Sequence, residues 1–137
     1  MKARSIAYWT TTILVAFFIG SGGVAQVLHV KATVDGFVHL LGYPAYFVTI
    51  LGVWKVLGPI AILAPGFARL KEWAYAGIFF DLTGAAASCA ASGDHGVYAF
   101  HILAPLLICG LAAASWALRP PSRIIGTLFQ AKNGETN

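Results

Sequence analysis

The fold is decided by an uncharged stretch near the N-terminus, residues 5–30, which reads SIAYWTTTILVAFFIGSGGVAQVLHV. These 26 residues contain no Asp, Glu, Lys or Arg, and a helix needs only about 20 apolar residues to cross a hydrocarbon core of about 30 Å. Residues 95–118 form a second uncharged stretch, of 24 residues. Two further apolar stretches contain one charge each, Lys55 and Asp81 respectively. The sequence therefore predicts four membrane spans, at about residues 6–28, 43–64, 73–92 and 97–118.

The composition also indicates a membrane protein. Of the 137 residues, 58% are apolar and 10% are charged, against about 45–50% and about 25% in soluble domains. A soluble chain of this length would leave much of its surface in water, and these few charges could not cover that surface. The net charge of +4 is spread along the chain rather than clustered. These observations argue against a soluble domain, a disordered chain and a nucleic-acid-binding module, and the length allows one domain, residues 1–137.

The apolar stretches are continuous rather than alternating, which argues against a transmembrane β-barrel. A helix satisfies its own backbone polar groups in lipid. We therefore predict an all-α fold, a polytopic membrane protein built as a four-transmembrane-helix bundle. Residues 29–42 and 122–132 are not long apolar spans but place apolar side chains at helical spacing, so we predict that both lie as helices along the membrane interface. The second of these segments belongs to a tail, residues 119–137.

The distribution of Lys and Arg predicts the orientation of the bundle. The chain emerges from the first span on one side of the membrane, and Lys31 is the only Lys or Arg on that side. A cleaved signal peptide is the alternative interpretation of the first span, but the apolar run is long for one. We predict that both termini are cytoplasmic, because seven basic residues lie on their side of the membrane: Lys2, Arg4, Arg69, Lys71, Arg119, Arg123 and Lys132.

Lys55 and Asp81 are the charges that the sequence places inside spans. Each costs about 2.5–3.5 kcal/mol at the centre of a bilayer on insertion scales, so two of them indicate a selected feature. Lys55 lies about 18 Å and Asp81 about 16 Å from the outer ends of their spans, at the helical rise. Three alternatives stay open: a structural ion pair, a pair that lines a cavity and binds a polar head group, proton or ion, and two charges that never meet.

Other polar residues cluster near the outer side. Gln26 ends the first span near the level of His101. It is either a polar plug at the end of the helix or part of an outward-facing cavity with His101 and Thr83 or Ser88. The outer segments also carry several side chains of metal-ligating type, but their spacing matches no zinc motif, so we predict no metal site. These residues are His29, Asp35, His39, Asp94, His95 and His101.

The two cysteines, Cys89 and Cys109, lie at different depths in their spans. A disulfide needs Cα atoms within about 7 Å, so we predict that they stay unpaired. No C-x-x-C motif is present, which argues against a thiol oxidoreductase.

Two stretches carry a resemblance to a known family: LGYPAYFVTILGVWKVLGPIAILAP at 41–65 and LKEWAYAGIFFDLTGAAAS at 70–88. With Lys55 and Gly58 in the first and Asp81 in the second, the chain resembles the DoxX-like family of small bacterial integral membrane proteins. The resemblance implies a four-helix bundle in the bacterial inner membrane. The family takes its name from a subunit associated with a quinol oxidase and a thiosulfate:quinone oxidoreductase. Quinone and a redox-enzyme partner subunit are therefore implied, but no catalytic motif can be carried over.

Three functions follow as hypotheses. The first is an accessory subunit of a quinone-linked membrane redox system; no flavin, haem or metal motif is evident in the sequence, so a partner would carry the electrons. The second is a small membrane enzyme in which Asp81 acts as acid or base on a lipid-soluble substrate, although no residue spacing specifies a reaction. The third is a proton-coupled carrier. Gly- and Ala-rich faces at 84–88 and 110–114 could support a homo-oligomer, or they could pack inside the bundle.

Overall fold

The computed structural model describes residues 2–92 and 99–124. Within them, all regular structure is helical, and four helices are long and apolar enough to cross a membrane. These observations confirm the predicted all-α, four-span bundle. The helices are α1 (Lys2–Val27), α2 (Ala45–Leu63), α3 (Ala68–Ala91) and α4 (Ala99–Ala117).

Each helix packs beside its neighbours in sequence, and α1 also packs against α4, so the four form a closed square bundle. The most extensive packing joins α1 and α2. Their backbones cross closely at two glycines: a Cβ atom on Gly23 would lie 2.7 Å from Lys55 Cβ, and one on Gly52 would lie 2.8 Å from Gln26 Cβ. Small residues allow membrane helices to approach in this way. Because of this crossing, Gln26 on α1 lies against α2, and Lys55 on α2 lies against α1.

The centre of the bundle is apolar, while its outer surface exposes large apolar side chains. Val15, Ile62 and Leu82 are at most 5% exposed and belong to one core cluster. On the outer surface, Phe17 is 65% exposed and Leu107 is 70% exposed. Exposed apolar surface on every helix is expected where the surrounding solvent is lipid.

The end of the bundle where α1 and α3 begin carries buried cations, and we call it the basic end. The third span was predicted to begin at about residue 73, which left Lys71 in the preceding loop, but α3 begins at Ala68 and includes Lys71. Its side chain is fully buried, and Nζ donates to the carbonyl oxygens of Ala61 and Ala64. The last carbonyls of a helix have no partner within that helix and attract cations. Lys71 therefore caps the C-terminal end of α2.

Two arginines complete the basic end. Arg119, 3% exposed, pairs with Glu72 at 2.6 Å, and Trp116 Nε1 donates to the same carboxylate at 2.9 Å. Arg123 donates to the carbonyl oxygen of Ile62 at 3.0 Å, so it also binds the end of α2. These side chains cross-link three helices with the chain that follows α4.

Deeper in the same end, hydroxyl groups join three helices. Thr12 Oγ1 lies 2.6 Å from Ser115 Oγ, which lies 2.7 Å from Tyr75 Oη. Thr12 also donates to the carbonyl oxygen of Tyr8 at 2.7 Å. All four residues are at most 5% exposed. Their polar groups are partnered, as buried polar groups must be in a stable bundle.

Two further sequence predictions can be compared with the structure. Cys89 and Cys109 are free thiols, as predicted. In the tail, the described part contains one 3₁₀ turn, Pro121–Arg123. Most of the predicted interfacial helix at 122–132, including Lys132, lies outside the described residues.

The glycine crossing generates a stability prediction. Gly52→Ala should lower the free energy of unfolding by about 1–3 kcal/mol, because the new Cβ would overlap backbone and side-chain atoms of α1. Gly110→Ala is the matched control: its Cβ would meet nothing within 4 Å, so stability should hold or rise by up to about 1 kcal/mol. Unfolding of the detergent-solubilised protein by increasing denaturant fraction measures both. Equal stability of the two variants would contradict the close crossing.

Candidate ligand-binding site

The two charges inside the spans lie together. Lys55 on α2 places Nζ 3.4 Å from Oδ2 of Asp81 on α3, and each side chain is 14% exposed. Helices α2 and α3 are antiparallel neighbours. Lys55 and Asp81 lie at similar depths along these two helices, so their side chains meet. The alternative in which the two charges never meet is therefore wrong.

The ion pair leaves hydrogen-bonding capacity unused. Asp81 Oδ2 is buried, and its contact with Lys55 Nζ, at 3.4 Å, is too poorly aligned to count as a hydrogen bond among residues 2–92 and 99–124. Lys55 Nζ also lies 5.8 Å from the ring centroid of Phe37, a cation–π distance. An unpartnered buried acceptor costs free energy, so an added hydrogen-bond donor would be favourable here.

A cavity of about 630 Å³ opens on one side of the pair, toward the end of the bundle opposite the basic end. We call it the end cavity. It brings together all four site residues predicted from the sequence: Gln26, Lys55, Asp81 and His101. Gln26 is 3% exposed, and within the described part of the chain its Oε1 has no hydrogen-bond partner. His101 is exposed at the start of α4. The size lies within the range of small-molecule sites.

Residues 31–40 cover this cavity, and we call them the cover segment. They form one turn of α-helix, Lys31–Val34, that continues as a π-helix over Asp35–Leu40. The sequence predicted a helix at 29–42 lying along the membrane interface; the structure shows a helix whose residues Thr33 and Phe37 line the cavity. Nothing in the sequence indicated that Phe37 would reach Lys55. π-helical turns are often found at functional sites.

The cover segment is held at both ends. Beyond its last turn, Tyr43 Oη lies 2.8 Å from Ser88 Oγ on α3, and the Tyr43 ring stacks on Phe47 at 4.9 Å. Just before its start, His29 Nε2 lies 2.7 Å from Thr49 Oγ1 on α2. Within the segment, Lys31 pairs with Asp35 at 2.8 Å on the surface, and this hydrogen bond lowers the pKa of the Asp35 carboxyl. These contacts fix the segment over the mouth of the cavity.

A second cavity, of about 560 Å³, lies on the other side of the pair, in the side of the bundle between α2 and α3. We call it the side groove. Lys55 and Asp81 line it as well as the end cavity. Trp54, 67% exposed, and Trp73, 80% exposed, are among its other lining residues. The ion pair thus stands where a covered cavity meets a groove open to the membrane.

No metal site is assembled from the residues described. Within 2–92 and 99–124, no three His, Cys, Asp or Glu side chains group together. His29 Nε2 lies 2.7 Å from Thr49 Oγ1, and His39 Nε2 lies 3.9 Å from Asp35 on the cover segment. Asp94 and His95 lie outside the described residues.

A family model described as "DoxX-like family" matches residues 10–115, most of the chain. No curated protein and no solved structure matches it.

The geometry of the pair generates a second prediction. Asp81→Asn should lower the free energy of unfolding by about 3 kcal/mol, because it leaves the buried Lys55 ammonium without its counter-charge. Adding Lys55→Met should restore most of the loss, since neither charge then remains. Denaturant unfolding in detergent measures the wild type, the single variant and the double variant. An Asp81→Asn protein as stable as the wild type would show that the pair does not stabilise the bundle.

Proposed function

The chain belongs to the DoxX-like family, and on this premise we propose that it binds a membrane quinone or quinol at Lys55 and Asp81 as an accessory subunit of a membrane redox system. The proposal includes a partner subunit that carries the electrons. It places the protein in the bacterial inner membrane with both termini cytoplasmic, in keeping with the basic residues at their end of the bundle.

The observation that carries the proposal is the meeting of two cavities at one polar pair. Small-molecule sites are mostly apolar, with a few polar groups that orient the ligand. The end cavity combines apolar residues such as Phe47 and Leu51 with Lys55, Asp81 and Gln26. The side groove adds an opening toward the hydrocarbon region. A lipid-soluble ring with polar oxygens suits such a site.

The polar groups match both redox forms of this ligand class. The Lys55 ammonium can donate to a quinone carbonyl oxygen, and Asp81 Oδ2 and Gln26 Oε1 can accept from a quinol hydroxyl. Both acceptors lack hydrogen-bond partners among the described residues. The carboxylate can also take the proton that a hydroxyl releases, with Lys55 at 3.4 Å as its counter-charge. The ligand would thus complete contacts that the protein leaves open.

A second candidate function uses the same residues. Asp81 and His101 both line the end cavity, an arrangement that favours a small membrane enzyme with Asp81 as acid or base on a lipid-soluble substrate. A proton-coupled carrier is less well supported. Its path would have to continue through the basic end, and neither the end cavity nor the side groove is lined by the buried Thr12, Ser115 or Tyr75 there.

Binding can be tested by filling the end cavity. Gly84 lines it, and a Cβ there would meet nothing within 4 Å, so Gly84→Leu should fold and occupy ligand space. We expect it to weaken decylubiquinone binding by about tenfold, the equivalent of about 1.4 kcal/mol. Quenching of tryptophan fluorescence in lipid nanodiscs measures binding, with protein-free nanodiscs subtracted.

The control for this variant is Gly110→Leu on α4. Gly110 lines neither cavity, and its added Cβ also meets open space, so binding should match the wild type. Equal affinity of the Gly84 and Gly110 variants, or no saturable binding by the wild type, would refute a quinone site in the end cavity.

The accessory role needs its own test. We expect gentle extraction from native membranes, followed by native mass spectrometry, to yield this chain with a second subunit that carries a redox centre. A bare monomer or homodimer would overturn the accessory role and favour the membrane-enzyme hypothesis.

A further inference from the structure

We propose that the side groove is the binding site for the hydrocarbon tail of the ligand whose head group meets Lys55 and Asp81. The ligand class is therefore an amphiphile with a hydrogen-bonding head and a linear apolar tail, which reaches the site sideways from the membrane. This inference rests on the proposed function, because it assigns the tail of the same ligand.

The end cavity and the side groove share part of their lining. Lys55 and Asp81 line both cavities, and so do Leu51 and Phe80. A head group bound to the ion pair from the end cavity therefore stands at the upper end of the side groove. Only the side chains of these shared residues stand between the two spaces at this level. A substituent on the head has a direct path into the groove.

The end cavity and the side groove differ in the polarity of their linings. The end cavity holds the unpartnered Gln26 Oε1, which is 3% exposed. Beyond the ion pair, the groove is walled by aliphatic and aromatic side chains, among them Ile19, Leu57, Leu70 and Ile78. A polar head would lose hydrogen bonds in the groove. The groove suits hydrocarbon, and the end cavity suits the head.

The side groove is elongated along α3. The groove follows α3 from Asp81 to Trp73, about 12 Å at the helical rise. Its lining includes residues with little or no side chain on both helices: Gly58, Ala61, Ala74 and Gly77. A Cβ on Gly77 would meet nothing within 4 Å, so the space over this glycine is open. An extended tail fits a long, shallow channel of this kind.

The side groove opens toward the outside of the bundle. Trp54, Trp73 and Phe80 line the groove and are 67%, 80% and 71% exposed, so its mouth faces outward from the bundle. The cover segment, in contrast, lies over the end cavity. A ligand dissolved in the bilayer can therefore slide between α2 and α3 without displacing the cover segment.

The test separates tail from head. Decylubiquinone is compared with its tail-free counterpart, in which a methyl group replaces the decyl chain, by tryptophan quenching in nanodiscs. Gly77→Leu places a side chain in the groove. We expect it to weaken decylubiquinone binding by about tenfold and to change binding of the tail-free form by less than about twofold. Ala74→Phe, which fills the same groove one turn away, should behave alike.

Two matched variants give the comparison. Gly84→Leu on the same helix fills the end cavity and should weaken both ligands, whereas Gly110→Leu should weaken neither. If Gly77→Leu and Ala74→Phe leave both affinities unchanged, the groove holds membrane lipid only and the tail assignment is wrong. If they weaken both ligands equally, the groove does not discriminate the tail, which is equally fatal to it.

The same data distinguish the two proposals. Wild-type binding of both ligands, lost in Gly84→Leu but kept in Gly77→Leu and Ala74→Phe, would overturn the tail site and leave the proposed function standing. No wild-type binding of either ligand would overturn the proposed function and the tail site with it.

Discussion

The close crossing of α1 and α2 is the constraint on which the rest of the site depends. Gly23 and Gly52 let the two backbones approach until a single added Cβ would overlap the opposite helix. This contact sets Gln26 and Lys55 side by side and leaves Lys55 facing α3. In lipid, such packing is a main source of helix association, because hydrocarbon surrounds the bundle on every side. The position of the buried Lys55 ammonium thus depends on the absence of side chains at Gly23 and Gly52.

The two ends of the bundle differ in the surroundings of their polar groups. At the basic end, Lys71 and Arg123 bind the terminal carbonyls of α2, and Arg119 is paired with Glu72. Buried atoms without a hydrogen bond from the described residues occur at both ends: Arg119 Nη1 at the basic end, and Asp81 Oδ2 and Gln26 Oε1 at the other. The last two line a cavity that can admit a ligand, whereas Arg119 lines neither the end cavity nor the side groove. This contrast is why we locate structure at one end and function at the other.

The ion pair has a structural and a functional aspect that need not exclude each other. At 3.4 Å and 14% exposure, Lys55 and Asp81 neutralise each other in the bundle. Such pairs are weak evidence of stability, because desolvation offsets much of their attraction. Their place between a covered cavity and a groove gives the pair a chemical surface as well. The glycines around it also allow each cavity to be filled separately, so the two aspects can be separated by experiment.

The four helices could be predicted from the sequence, because uncharged stretches of 26 and 24 residues exceed what a span requires. It also placed Lys55 and Asp81 at one level, since the helical rise is constant. It missed that α3 begins at Ala68 with Lys71 buried, because the carbonyls that accept from Lys71 belong to another helix. It also missed the cover segment over the end cavity and the side groove between α2 and α3. A cavity is the space that packed helices leave between them. That space depends on contacts between residues distant in the chain, so it is known only once the helices are packed together.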